Sequence, residues 1–187
     1  DWYVLQKTIT LGETTIRFED LTTESVDLRN LPFLSNYDIK NVLNIIAKGE
    51  EEKCKVLYSS SDYELRKDWM LEEKTSKFKY PCVYSMYKDE SIKCYFSAED
   101  KGHFGVSKVI ISLGQYPYPM IDMEGEYGMC NNAFAIIVSN KDEAEGIKKA
   151  LESEKFAEIL KATKWGNFQI DWRMFKYFRK DFWRDFI

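Results

Sequence analysis

The chain has 187 residues, of which 44% are hydrophobic, 16% aromatic and 31% charged, with a formal net charge of −4. That balance excludes a disordered segment and describes a folded globular protein with a sizeable core. With no apolar run near about 18 residues, a membrane-spanning helix is excluded too. Net acidity also weighs against a uniformly basic nucleic-acid binder, so any such role needs segregated charge. The chain opens on Asp1-Trp2-Tyr3, with no basic segment ahead of an apolar run. No secretory leader is therefore expected, and a start other than Met fits a piece of a longer protein.

Trp2-Tyr-Val-Leu5, Lys7-Thr-Ile-Thr-Leu11 and Thr14-Thr-Ile-Arg-Phe18 are β-prone and predict short strands, with a turn at Gly12-Glu13. Residues 21 to 34 read as irregular. Ser35 or Asn36 then caps a helix over 36–48, with Ile39, Val42, Leu43, Ile45 and Ile46 at helical spacing and Gly49 at its end. Lys55-Val-Leu-Tyr58 predicts a strand. Ser61-Asp-Tyr-Glu64 has the form of a capping box and predicts a short helix through Arg66, Trp69 and Met70. Residues 72 to 79 are charged. They divide the chain into a lobe of residues 1–75 and a lobe of residues 76–187.

In the second lobe, Tyr80 to Tyr87 and Ile92 to Phe96 bracket Lys88-Asp-Glu-Ser91, which predicts a hairpin with a polar tip. The loop 101–128 follows. In it, Gly102 and Gly105 flank His103-Phe104 as a tight exposed turn, and Val109 to Ile111 forms a buried strand. Tyr116-Pro-Tyr-Pro119 cannot continue a central strand. Ala133 to Val138 predicts another strand. Helices are expected over 140–163, opening at Asn140 and recapped at Ser153. A last helix over 171–186 carries Trp172, Phe175, Phe178, Phe182 and Phe186 as a core-facing stripe. The fold class is α+β, with short antiparallel strands and hairpins, flanking helices and an aromatic-rich C-terminal helix.

Four cysteines, Cys54, Cys82, Cys94 and Cys130, lie far apart and suggest reduced thiols rather than a disulfide framework or a zinc site. That usage points to the cytoplasm. His103 is the single histidine and has no evident nucleophile beside it. Asp122-x-Glu124-x-Glu126 is the one carboxylate cluster with the alternation a strand would need to hold Mg²⁺, yet Gly125 and Gly128 favour a turn there. There is no Gly-x-Gly-x-x-Gly and no phosphate-binding Gly-Lys-Ser/Thr loop.

Phe104-Gly-x-x-Lys108-Val-Ile, then a turn, then Gly125-x-Tyr127-Gly128 and an apolar strand resemble the C-terminal region of N6-adenine DNA methyltransferases. Ala150-Leu-Glu-Ser153-x-x-Phe156 and Lys180-Asp-Phe-Trp183 fit the same pattern. The resemblance covers roughly residues 60 to 187. In that prokaryotic family, which includes fused restriction–modification enzymes, this region is the target recognition domain. It implies a DNA-binding role, double-stranded DNA as partner, and contact with the catalytic domain of a parent protein. The family's catalytic Asn/Asp-Pro-Pro-Tyr/Phe motif and its glycine-rich S-adenosylmethionine motif are both missing from this sequence. The resemblance therefore implies a recognition part that is not itself catalytic, holds no cofactor, and depends on S-adenosylmethionine only through its parent.

Phosphate contacts position such a domain and base-edge contacts give it sequence choice. Candidates for the first are Lys77, Lys79, Lys88 and Lys101. Candidates for the second are His103, Ser107, Gln115, Tyr116 and Asn131. Lys108 suits either job, or a structural ion pair. Two other readings stand beside this one: a protein–protein interaction or regulatory module, and a metal-dependent nuclease using Asp122, Glu124 and Glu126.

Overall fold

The structure is a computed structural model and describes residues 14–17, 21–27, 29, 33, 35, 39–114, 116–164 and 169–187. The strands expected at 2–5 and 7–11 lie outside the described residues, as does Asn36. The fold is α+β. Strand β1 (Thr14–Arg17), expected from its sequence, pairs antiparallel with β2 (Thr23–Val26), which lies in the stretch 21–34 that reads as irregular.

Two four-stranded sheets follow. One has the order β3-β10-β7-β8, formed by β3 (Lys55–Leu57), β10 (Ala133–Ile137), β7 (Lys108–Ser112) and β8 (Pro119–Asp122), all antiparallel. The other has the order β4-β6-β5-β9, formed by β4 (Met70–Leu71), β6 (Ile92–Ser97), β5 (Tyr80–Met86) and β9 (Gly128–Met129). Only β9 runs parallel to its neighbour, β5. Both β3 and β4 precede residue 75 and pair with strands beyond it, so the charged stretch at 72–79 is the β4–β5 connection.

The first sheet is the middle of three layers. Val109, Ile111, Phe134 and Ile136 point to one side, into a core shared with the helices α1 (Ile39–Ile45), α2 (Lys141–Glu152) and α3 (Glu154–Thr163). Ile110, Ala133 and Ala135 point to the other side, against Val83, Met86 and Met129 of the second sheet. Burial on both faces explains why β7 reads as a continuous apolar run. Proline opens β8, which is an edge strand, where its missing donor costs no ladder bond.

Helix starts follow their local chemistry. The Asn140 Oδ1 accepts the Glu143 amide at 2.9 Å, and the Glu143 carboxylate in turn accepts the Ser139 amide at 2.7 Å. Ser153 Oγ accepts the Phe156 amide at 3.1 Å and so begins α3. Helix α1 ends at Ile45, before the expected residue 48, because Ile46 leaves it to bridge Phe178, and the Ala47 amide donates to the Tyr177 carbonyl.

Two expected helices are replaced by other geometry. Residues 61–69 form turns, with the Trp69 indole donating to the Asp62 carbonyl and the Tyr63 ring wholly buried. Of the C-terminal aromatics, Trp172, Phe175 and Phe182 sit on two 3₁₀ turns, Trp172–Tyr177 and Phe182–Asp185, and Phe178 and Phe186 follow their ends. Between these turns, Phe178 and Arg179 stretch out to bridge Ile46 and Lys53. The stripe itself is core, as its spacing suggests: Phe175, Phe178, Phe182 and Phe186 surround Phe156 with ring centroids 5.1 to 6.3 Å away.

Candidate nucleic-acid interface

The two glycine turns of loop 101–128 meet each other. Gly105 and Gly125 both have a positive φ of 68°, and the Gly105 amide donates to the Gly125 carbonyl at 2.9 Å. A Cβ on Gly125 would lie 2.4 Å from the Val106 nitrogen, so the close approach requires glycine. This contact folds the turn residues inward and decides which of the expected site residues reach solvent.

His103 does not. It is 2% exposed, its Nδ1 accepts the Met129 amide at 3.2 Å, and its ring lies 4.7 Å from that of Tyr63. Burial pushes its pKa down to about 4, so the imidazole is neutral. The expectation of an exposed, base-reading imidazole is therefore corrected: the residue tethers the loop to β9. Flanking glycines signalled a turn but could not say which way its tip points.

Lys108 takes the structural role among its alternatives. It stands opposite Asp122 in the β7–β8 register, is wholly buried, and its Nζ lies 2.7 Å from the Asp122 Oδ2 and 3.1 Å from the Val106 carbonyl. Asp122 also accepts the amides of Glu126 and Tyr127, at 2.9 and 3.1 Å. It is thus committed to the turn, while Glu124 and Glu126 are exposed beyond it. Among the described residues no group of three or more His, Cys, Asp or Glu side chains is placed to hold a metal ion. Ser107 is also occupied, donating to the Met123 carbonyl at 2.6 Å.

The other candidates are scattered. Tyr116 is exposed and tilted against Tyr118, with Gln115 outside the described residues. The Asn131 carbonyl accepts the Tyr58 hydroxyl. Lys88 is exposed at the β5–β6 tip.

Lys77, Lys79 and Lys101 lie beside the second sheet, the first two on its β4–β5 connection and Lys101 on the loop after β6. Each ammonium lies over an aromatic ring: Lys77 over Phe78 at 5.3 Å, Lys79 over Tyr80 at 5.1 Å, and Lys101 over Trp69 at 4.5 Å. Two lysines that were not among the candidates join them. Lys67 also lies over Trp69, at 5.6 Å, and Lys93 lies 5.2 Å from the Tyr95 ring and 6.0 Å from that of Tyr84. A signal for them exists in the sequence, where a lysine precedes an aromatic by one or two positions at Lys67/Trp69, Lys77/Phe78, Lys79/Tyr80 and Lys93/Tyr95.

Register explains the gathering. Tyr80 stands opposite Ser97, which is also opposite Met70, and the Trp69 carbonyl accepts the Ala98 amide. Tyr95 is opposite Cys82, two residues further along. The inner end of this face is sealed by Tyr63, Cys82 and Phe104, and the outer end carries the half-buried rings of Tyr84, Tyr95 and Trp69. Carboxylates are interleaved: Glu72 pairs with Lys93 and Glu99 with Lys101. The Tyr95 hydroxyl and then Glu72 hold the pKa of Lys93 above the usual lysine range.

Elsewhere, a cleft of about 940 Å³ lies between the start of α2 and residues 179–185. Its Lys180 is paired with Glu52, and its Arg179 with Asp181 and Asp185. The thiols of Cys54, Cys82 and Cys130 are buried and their pKa values are pushed up, which makes them poor nucleophiles. No helix among the described residues is long and apolar enough to cross a membrane. Comparison of the chain with protein-family models, curated proteins and solved structures finds no match.

Proposed function

We propose that this chain is the DNA-recognition part of a DNA N6-adenine methyltransferase or restriction–modification enzyme, and that it contacts DNA through the second sheet. The observation that carries the reading is the set of five lysines held over aromatic rings, Lys93 on β6 and the others on the segments that flank the strands of the second sheet. Such a surface offers phosphates their cations and offers bases their stacking partners. The sequence resemblance supports it from another side. In this fold Gly105, Lys108 and Gly125, which help carry it, build the turn of loop 101–128, and Phe104 of that loop packs with Tyr63 and Cys82 on the same face of the sheet as Tyr84 and Tyr95. On this reading methyl transfer and S-adenosylmethionine belong to the parent's catalytic part.

Lysine acetylation footprinting tests the reading. With saturating duplex DNA, Lys77, Lys79 and Lys101 should lose reactivity, while Lys161 on α3 should keep it. Equal labelling of all four with and without DNA would remove the support for this interface.

A further inference from the structure

On the DNA-contacting reading above, we propose that the outer face of β5 and β6 is a stacking site for unpaired nucleotides, with Tyr84 and Tyr95 receiving bases and Lys93, Lys79 and Lys101 receiving phosphates. Three observations lead there. First, Tyr84 and Tyr95 stand edge to face with centroids 5.4 Å apart on neighbouring strands, and both are part-exposed. A ring in that position gains from a base whose face is free. Within a duplex the base faces are already stacked on each other, so a ring-bearing sheet gains little from them.

Second, the two longest described helices, α2 and α3, are not groove readers. Helix α2 carries Lys141, Lys148 and Lys149 against Asp142, Glu143, Glu145 and Glu152. Helix α3 carries Lys155 and Lys161 against Glu154 and Glu158. Neither has the cationic surplus that would draw a helix into the major groove of a polyanion.

Third, the contacts now made by the lysines are weak enough to exchange. An exposed ammonium over a ring is weakly held, and an exposed ion pair such as Lys93–Glu72 is largely screened by solvent. A base stacked on the same ring is held more strongly. The base therefore takes the ring, and the displaced Lys93 ammonium, still on its tether, meets the phosphate of that nucleotide. The nearby Glu72 and Glu99 repel the backbone once their lysines leave, which offsets part of the attraction and makes the salt dependence shallower than the lysines alone would give.

The test uses the full chain and fluorescence anisotropy at low salt, with a labelled single strand of about 12 nucleotides and a blunt duplex of the same sequence. The single strand should bind more tightly than the duplex. Tyr95→Ala should weaken single-strand binding roughly 5- to 150-fold, the range that one stacked base implies, and Tyr95→Phe should retain it. The phenylalanine variant shows that the ring rather than the hydroxyl is needed, and the thermal unfolding of Tyr95→Ala followed by circular dichroism separates lost stacking from lost folding. If the blunt duplex binds at least as tightly as the single strand and Tyr95→Ala changes neither, the stacking proposal fails and the DNA-contacting reading stands. If neither form binds, both fail.

Discussion

Replacing Lys108 by methionine removes a cation from the centre of the fold and keeps most of its volume. The ammonium lies 2.7 Å from Asp122, and the two side chains are 0% and 3% exposed. Without it, the Asp122 carboxylate stays buried with only the Glu126 and Tyr127 amides as donors. An unpaired buried charge of this kind costs about 3–5 kcal/mol. Against a total stability of about 5–15 kcal/mol, that is a large fraction. For a chain of this size each kcal/mol moves Tm by about 2–4 °C, so Lys108→Met should lower Tm by roughly 6–20 °C. Thermal unfolding followed by circular dichroism measures it. Lys108→Met combined with Asp122→Asn should regain part of the loss, because the orphaned charge is gone. The reasoning is refuted if Lys108→Met unfolds within a degree or two of the unaltered chain, or if the double variant is the sum of the two singles.

Three further expectations follow from buried geometry. The His103 imidazole is neutral in the fold with a pKa of about 4, whereas the unfolded chain takes up its proton near the ordinary histidine value of about 6.5. Between those values the unfolded state binds more protons. Stability is therefore fully present above about pH 6.5 and declines by up to about 3 kcal/mol as pH falls toward 4; urea unfolding across that range should show the slope, and His103→Gln should remove its own share of it. Gly146→Ala raises helix propensity by about 1 kcal/mol, yet the new Cβ would lie 2.3 Å from the Trp183 ring. Overpacking should win and leave the variant destabilised by about 1–3 kcal/mol gross of that gain, with a smaller penalty when Trp183→Leu accompanies it; chemical unfolding measures both. Gly125→Ala should destabilise more than Gly102→Ala, since both have positive φ but only Gly125 faces backbone within 3 Å, and the same unfolding assay ranks them.

Much of the scaffold was legible in local chemistry. The polar tip at Lys88–Ser91 located the β5–β6 hairpin, a β-branched run located β7, and Asn140 and Ser153 marked the starts of α2 and α3. The errors came where distant contacts outweigh local signals. Ser61–Glu64 has a capping pattern, but the Tyr63 hydroxyl accepts the Lys101 amide, 38 residues away, and that tether holds the segment in turns. The 3–4 spacing of the C-terminal aromatics correctly marks a buried stripe. It cannot reveal that Phe178 and Arg179 leave helical geometry to bridge Ile46 and Lys53. At the candidate site, residue type identified the lysines of loop 72–79. Side-chain direction is invisible there, so the sequence puts His103 on a surface it does not reach and leaves Lys108 open between a DNA contact and the ion pair it makes. Lys93 and Lys67 gain their meaning from rings that sheet register sets beside them, and register is a tertiary property.

The claim that the second sheet meets DNA phosphates is tested most directly by the salt dependence of binding. Each phosphate contact contributes roughly one unit to the slope of log affinity against log salt. Fluorescence anisotropy over a series of salt concentrations should therefore show a slope shallower by up to about three units when Lys77, Lys79 and Lys101 are all changed to alanine. Lys161→Ala on α3 should leave the slope where it was. A triple variant whose slope and affinity both equal those of the unaltered chain would contradict the account.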